Sequence, residues 1–145
     1  MAVTAAGVFR RTPRERADQR LAWERADQAF FAAGACHILA WVCRDTYPDR
    51  PIGLAGLRFA GERQVFHVYA TWAGWAFDHA GWNREADLLA ANREFERRPL
   101  DRIGITGDLA TFCRAQHHRM PHQYFGDPLP RARDYVNRHP PPVSR

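Results

Sequence analysis

The sequence predicts an α+β fold in which helices flank a small antiparallel sheet. Two observations lead to this prediction. Apolar residues recur at helical spacing toward both ends of the chain, whereas the middle carries β-branched and aromatic residues between glycine-containing breaks. The resulting order is helix, helix, antiparallel strands, helix, helix. Helices and strands that occur in separate runs are typical of α+β proteins.

Two helices are predicted before the strands. Residues 14–33 have apolar positions at helical spacing, and Gly34 breaks the pattern, which predicts a first helix. Residues 35–43 are apolar on nearly every side, and the pair Tyr47-Pro48 stops this second helix. A helix without a polar face must be buried all round.

Three strands are predicted over residues 52–59, 65–72 and 75–78. If Ala73-Gly74 forms a two-residue turn, Trp72 lies opposite Trp75. Alternation then gives one core face, formed by Phe66, Val68, Ala70, Trp72, Trp75 and Phe77. The other face carries Val65, His67, Tyr69, Thr71, Ala76 and Asp78.

The rest of the chain returns to helical spacing. We expect a helix over residues 83–98 with Asn83 as its N-cap. A short strand over 103–105 and helices over 108–116 and 130–138 follow. No internal repeat is visible, so a single domain over residues 14–139 is expected, with flexible tails at 1–13 and 140–145.

The composition restricts the class of protein. The net charge is +5, and all 21 basic residues are Arg, but they are interleaved with 16 acidic residues, which favours a mixed-sign surface over a nucleic-acid interface. No apolar run reaches the roughly 18 residues that a membrane span needs. The three cysteines fit no disulfide framework. We therefore expect a cytoplasmic protein that binds neither membrane nor nucleic acid.

His67 and Asp78 fall on the same face of the predicted hairpin. As diagonal neighbours on adjacent strands they would lie roughly 7–8 Å apart at the backbone, a gap that the two side chains can close. A carboxylate fixes the tautomer of a histidine and leaves its other nitrogen available as a general base. His79 is expected to point to the opposite face and to be structural.

Cys36 is the best candidate for a nucleophile. It follows the Gly34 break and lies in the first turn of the buried helix, where the helix dipole and free N–H groups lower a thiol pKa. Cys43 and Cys113 lie among apolar neighbours and are expected to be structural.

The run Gly34-Ala35-Cys36-His37-Ile38-Leu39-Ala40, the strands from His67 to Asp78, and Gly81 together resemble papain-fold and transglutaminase-like bacterial and phage proteins, including papain-fold toxin domains. The resemblance covers about residues 30–85. It implies a central buried helix that opens at the cysteine and packs on a small antiparallel sheet. It also implies that Cys36 is the nucleophile, His67 the base and Asp78 the orienting acid.

Papain-like proteases place a Gln shortly before the cysteine to complete the oxyanion hole. Here the only candidate is Gln28, and its distance from Cys36 along the sequence is unfavourable. Either Gln28 contributes or backbone amides suffice. The resemblance implies a thiol hydrolase or acyltransferase that acts on an amide of a protein or peptide and needs no cofactor. The alternative is a catalytically silent fold that serves as a protein-interaction module.

A second group of possible ligands is Cys113, His117, His118 and His122. Such side chains can bind zinc, but zinc sites usually draw ligands from two well-spaced pairs, and these four lie in one run. The alternative is a His-rich surface loop, so no metal is expected.

Overall fold

The chain forms a five-stranded antiparallel sheet in the strand order β4-β3-β2-β1-β5, in a computed structural model that describes residues 3–143. The strands are β1 (Gly53–Phe59), β2 (Val65–Trp72), β3 (Trp75–Asp78), β4 (Gly81–Arg84) and β5 (Leu100–Ile105). Every neighbouring pair is antiparallel. The α+β class predicted from the sequence is confirmed.

Within the described residues, seven α-helices accompany the sheet. They are α1 (Pro13–Ala17), α2 (Gln19–Trp23), α3 (Asp27–Ala32), α4 (Cys36–Thr46), α5 (Glu85–Glu96), α6 (Leu109–Gln116) and α7 (Pro128–Asn137). Two short 3-10 helices lie at Ala6–Phe9 and Pro121–Gln123. None of the helices in the described residues is long and apolar enough to cross a membrane.

Helix α4 is the centre of the fold. Every residue from Cys36 to Cys43 is buried, as the lack of a polar face predicted. The helix lies across β1, β2 and β3 and packs on its outer side against α7. Its start is therefore held at a fixed place over the sheet.

The first predicted helix is divided into α1, α2 and α3. Thr12 forms a capping box with Glu15 and starts α1. The Asp18 carboxylate then accepts hydrogen bonds from the backbone N–H groups of Arg20 and Leu21, which ends α1 and starts α2. The prediction of one helix over 14–33 was wrong because such side-chain caps interrupt the backbone without disturbing the apolar spacing.

The hairpin of β2 and β3 agrees with its prediction in both bounds and register. Ala73 and Gly74 have φ angles of 49° and 83°, the left-handed pair that a tight type I′ turn requires. Trp72 pairs with Trp75, and Ala70 pairs with Phe77.

A bulge at the start of β2 changes part of the predicted face assignment. Leu57 pairs with His67 and Arg58 pairs with Val65, so Phe66 is an extra residue without a partner on β1. Val65 joins the core around α4, whereas Phe66 stacks on Phe59 at 4.7 Å on the other side. The predicted sides of Val65 and Phe66 were wrong because a bulge shifts the alternation by one residue.

The sheet is covered on both faces. One core cluster surrounds α4, and a second cluster forms where Leu88 of α5 packs on Leu57, Tyr69 and Ala76. The expectation of a single core face is therefore incomplete.

Strand β4 was not predicted. It pairs with β3, and α5 begins only at Glu85, so Asn83 is a strand residue instead of an N-cap. Its amide donates to the carbonyl of Ala80 at 3.2 Å. The four residues of β4 carry no alternation long enough to distinguish a strand from the first turn of a helix.

The segment before α1 packs on the rest of the fold. Ala5 and Ala6 are buried, and the 3-10 helix Ala6–Phe9 contacts α3 and α5. This part of the expected N-terminal tail is therefore integrated into the structure. Residues 1, 2, 144 and 145 of the two expected tails lie outside the described residues.

Candidate active site

Cys36 is the first residue of α4 and lies at its amino end. Gly34 has a φ angle of 109°, a left-handed conformation that turns the chain into the helix. Ala35 at the N-cap offers no side-chain hydrogen bond to the first turn, so the N–H groups there have no side-chain cap. The sulfur therefore lies where the helix dipole favours negative charge.

His67 and Asp78 form a buried hydrogen-bonded pair. Nε2 of His67 and Oδ2 of Asp78 are 2.9 Å apart, and the side chains are 0% and 2% exposed. Nδ1 of His67 has no hydrogen-bond partner within the described residues, and the His67 ring is among the groups that lower the pKa of the Cys36 thiol. The structure thus brings together the three residues that sequence reasoning singled out.

The protonation of Cys36 and His67 is strongly perturbed. Burial alone would raise the pKa of the Cys36 thiol, but its interactions with His37 and His67 outweigh burial and hold the pKa well below its usual range. Burial alone would lower the pKa of the His67 ring, but its interactions with Asp78 and Cys36 outweigh burial and raise that pKa. These opposite shifts favour a thiolate beside an imidazolium.

Both oxygens of Asp78 are engaged. Oδ2 accepts from His67, and Oδ1 accepts from the backbone N–H of Ala80 at 2.8 Å. Burial raises the pKa of the Asp78 carboxyl, but the neighbouring His79 and His67 rings and the Ala80 N–H outweigh it and lower the pKa overall. Asp78 is therefore ionised at neutral pH and able to orient His67.

His79 lies beside the pair instead of on the opposite face, so its predicted orientation was wrong. Strand β3 ends at Asp78, and His79 begins the turn to β4, where strand alternation no longer applies. Its ring centroid is 5.7 Å from that of His67, and Nδ1 is 3.5 Å from Oδ2 of Asp78. Nε2 of His79 donates to the carbonyl of Thr4 at 2.7 Å.

His37 is a second imidazole next to Cys36, to which the sequence pattern assigned no function. Its Nε2 donates to the carbonyl of Arg119 at 2.7 Å. Burial lowers the pKa of His37, but interactions with Cys113 and Cys36 raise it to about 9. Adjacency in the sequence gave no signal for this contact, because consecutive residues on a helix do not normally face the same point.

Gln28 lies close to the turn after β3. Its amide donates to the carbonyl of His79 at 3.4 Å, and the hydroxyl of Tyr135 donates to the same carbonyl at 2.6 Å. Gln28 therefore contacts the part of the chain that carries Asp78. Its role as an oxyanion contributor to Cys36 chemistry stays a prediction.

The other cysteines differ from Cys36. Cys43 is fully buried in α4, and burial raises the pKa of its thiol to about 12. Cys113 is buried on α6 and donates to the carbonyl of Arg119 at 3.4 Å. All three cysteines are free. The pKa of the Cys36 thiol is lowered, whereas that of the Cys43 thiol is raised.

Within residues 3–143, the side chains close enough together to hold a metal ion are not those of the predicted run Cys113, His117, His118 and His122. They are those of His67, Asp78 and His79, whose ligand atoms lie within 4.8 Å of one another. The hydrogen bonds to Asp78, Ala80 and Thr4 already engage several of these atoms.

Comparisons with known proteins add no relative: no family model matches the chain, and neither a curated protein nor a solved structure matches it significantly.

Proposed function

We propose that the protein is a thiol hydrolase or acyltransferase of papain-like or transglutaminase-like fold that acts on an amide. Cys36 serves as nucleophile, His67 as general base and acid, and Asp78 as the residue that orients His67. The observation that supports this best is a thiol at the start of a helix together with a histidine whose Nε2 is hydrogen-bonded to a buried carboxylate.

In the first half-reaction, the Cys36 thiolate attacks the carbonyl carbon of a peptide, isopeptide or glutamine amide. The C–N bond then breaks, and His67 gives its proton to the departing amine, which leaves a thioester on Cys36. The first-turn N–H groups of α4 are suited to stabilise the oxyanion of the tetrahedral intermediate.

In the second half-reaction, His67 takes a proton from the incoming nucleophile, and the thioester C–S bond breaks. Water gives a carboxylic acid, and an amine gives a new amide. In both cases the thiolate and imidazolium of the resting site are restored.

The test uses p-nitrophenyl acetate, a small activated ester that acylates reactive thiols. The native protein is expected to release p-nitrophenolate and to carry an acetyl group on Cys36, detected by mass spectrometry of the peptide. Cys36→Ala removes the adduct, and His67→Ala slows its formation. The matched control is Cys43→Ala, which leaves the adduct in place because Cys43 is fully buried.

The second candidate is a catalytically silent interaction module. The observation that favours it is that Cys36 is only 5% exposed, so little of its surface is open to a substrate. Alkylation by iodoacetamide distinguishes the two. An active site predicts that Cys36 reacts faster than Cys43 and Cys113, whereas equal, slow reaction of all three together with no acetyl adduct favours the module.

A further inference from the structure

Cys36 lines a cleft of about 370 Å³ whose walls carry positive charge and no carboxylate. Besides the cysteine, it is lined by Arg11, Gly34, Val65, Phe66, His117, His118 and Arg119. The polar side chains in this lining are therefore two guanidinium groups, two imidazoles and the thiol.

The two arginines form no salt bridge within the described residues. Neither Arg11 nor Arg119 makes a salt bridge to any residue in the range 3–143. When the Gln19 side-chain amide is turned so that its oxygen faces Arg119, this neutral oxygen accepts two hydrogen bonds from the guanidinium, at 2.7 and 3.1 Å. Both arginines are half-buried.

A neighbouring cleft provides a contrast. It has a volume of about 190 Å³, meets the first cleft at Gly34 and Phe66, and also contains an arginine, Arg10. There, Glu96 in the same lining pairs with Arg10 at 2.7 Å. The lining of the Cys36 cleft therefore has arginines without a carboxylate, whereas the arginine of the neighbouring cleft is paired with one.

The guanidinium of Arg11 lies close to the nucleophile's loop. A Cβ built on Gly34, two residues before Cys36, would be 3.5 Å from Cζ and Nη1 of Arg11. Arg11 and Arg119 line the same cleft, and burial, followed by the repulsion of Arg119, lowers the pKa of Arg11. An anion placed between them would relieve that repulsion.

We propose that the Cys36 cleft selects acyl substrates that carry an oxyanion, a carboxylate or a phosphate, next to the reacting carbonyl, with Arg11 and Arg119 as its binding residues. This inference rests on the proposed function and names its substrate class. Guanidinium groups match both oxyanions because their planar donors bind two oxygens at once.

The experiment compares two alkylating reagents of nearly the same size, one neutral and one anionic. Iodoacetamide and iodoacetate both form a thioether with Cys36 and release iodide, but only iodoacetate brings a carboxylate. Both react with the same thiolate, so the ratio of their rate constants is independent of how much thiolate each variant holds. The ratio at Cys36 is measured by mass spectrometry against that of glutathione.

The iodoacetate-to-iodoacetamide ratio is expected to exceed that of glutathione by about fivefold or more, since a cleft lined by arginines and no carboxylate concentrates anions. Arg11→Gln and Arg119→Gln each lower the ratio, and the double variant brings it to the glutathione value. Arg133→Gln is the matched control, because it removes the same charge from an exposed position on α7 outside the cleft. It leaves the ratio unchanged.

Protection assays separate the two oxyanions. Inorganic phosphate and succinate are each added at constant ionic strength, and slowing of iodoacetamide alkylation by one of them identifies the preferred group. The oxyanion proposal is overturned if iodoacetamide reacts rapidly at Cys36 but the iodoacetate-to-iodoacetamide ratio equals that of glutathione and is unaltered in both arginine variants. That result leaves the proposed function standing. If Cys36 is inert to both reagents, the oxyanion proposal and the proposed function are both overturned.

Discussion

The replacement Asp78→Asn tests the orientation of His67 directly, because the structure gives each carboxylate oxygen a separate donor. Oδ2 accepts from His67 at 2.9 Å, and Oδ1 accepts from the N–H of Ala80 at 2.8 Å. An asparagine has one oxygen and one NH₂ group. If its oxygen stays on Ala80, the NH₂ group faces Nε2 of His67 and favours the tautomer with its proton on Nδ1, beside the thiol. If the amide turns over, NH₂ meets the N–H of Ala80.

Either arrangement weakens the pair of thiolate and imidazolium. A hydrogen bond to a charged group contributes about 1.5–3 kcal/mol, so its loss should raise the pKa of the Cys36 thiol. Alkylation of Cys36 at about pH 6 should then slow by about 10- to 100-fold, with the rates converging at high pH where the thiolate is complete in both proteins.

The assay follows iodoacetamide alkylation of the Cys36 peptide by mass spectrometry across the pH range. Asp127→Asn is the matched control, because Asp127 caps α7 through the N–H of Leu129 and is absent from the site. A folded Asp78→Asn protein with the native pH profile at Cys36 would refute the assigned role of Asp78.

Three further predictions concern stability and the oxyanion. Phe77→Ala, which removes a 0% exposed ring from the core around α4, should cost about 3–5 kcal/mol in urea unfolding, whereas the 40% exposed Phe95 should tolerate the same change. The pKa of Asp78 is lower in the folded protein than in the unfolded chain. Its contribution to stability is therefore complete above the unfolded carboxyl pKa and is lost as the pH falls through the folded pKa. The urea midpoint should accordingly decline less steeply in acid for Asp78→Asn than for the native protein. Gln28→Ala should slow acylation of Cys36 by p-nitrophenyl acetate but leave iodoacetamide alkylation unchanged, because only acylation forms an oxyanion; equal effects on both reactions would assign Gln28 to support of the His79 turn.

The parts of the fold that the sequence predicted well are those in which local chemistry and long-range packing agree. Strands β2 and β3 match in bounds and register because Ala73-Gly74 adopts the left-handed turn that a two-residue hairpin loop needs. Helix α4 was predicted because its all-round apolar pattern can be satisfied only by burial.

The features that were missed depend on single backbone events. The bulge at Phe66 is set by its partner strand, which the sequence of β2 does not contain. Strand β4 is too short for its pattern to differ from that of a helix start, and the Asp18 cap divides a helix without disturbing its apolar spacing. His79 was misplaced for a related reason, since alternation was extended one residue past the end of β3.

For the site, the facing of His67 and Asp78 and the place of Cys36 could be predicted because they follow from strand alternation and a helix start. The positions of Arg11 and Arg119 could not. They reach the same cleft from segments more than 100 residues apart, and no periodic pattern relates a loop before α1 to the loop after α6.

The packing of the first residues on His79 has a consequence for local opening of the molecule. The carbonyl of Thr4 holds Nε2 of His79, and the ring of Phe9 meets the same imidazole edge-on at 5.6 Å. A short N-terminal segment such as this one detaches at a lower free energy than that of global unfolding. Hydrogen exchange of the Ala80 amide, whose N–H is held by Asp78, should therefore report the fraying of this N-terminal segment, while exchange in the middle of β2 reports unfolding of the whole chain.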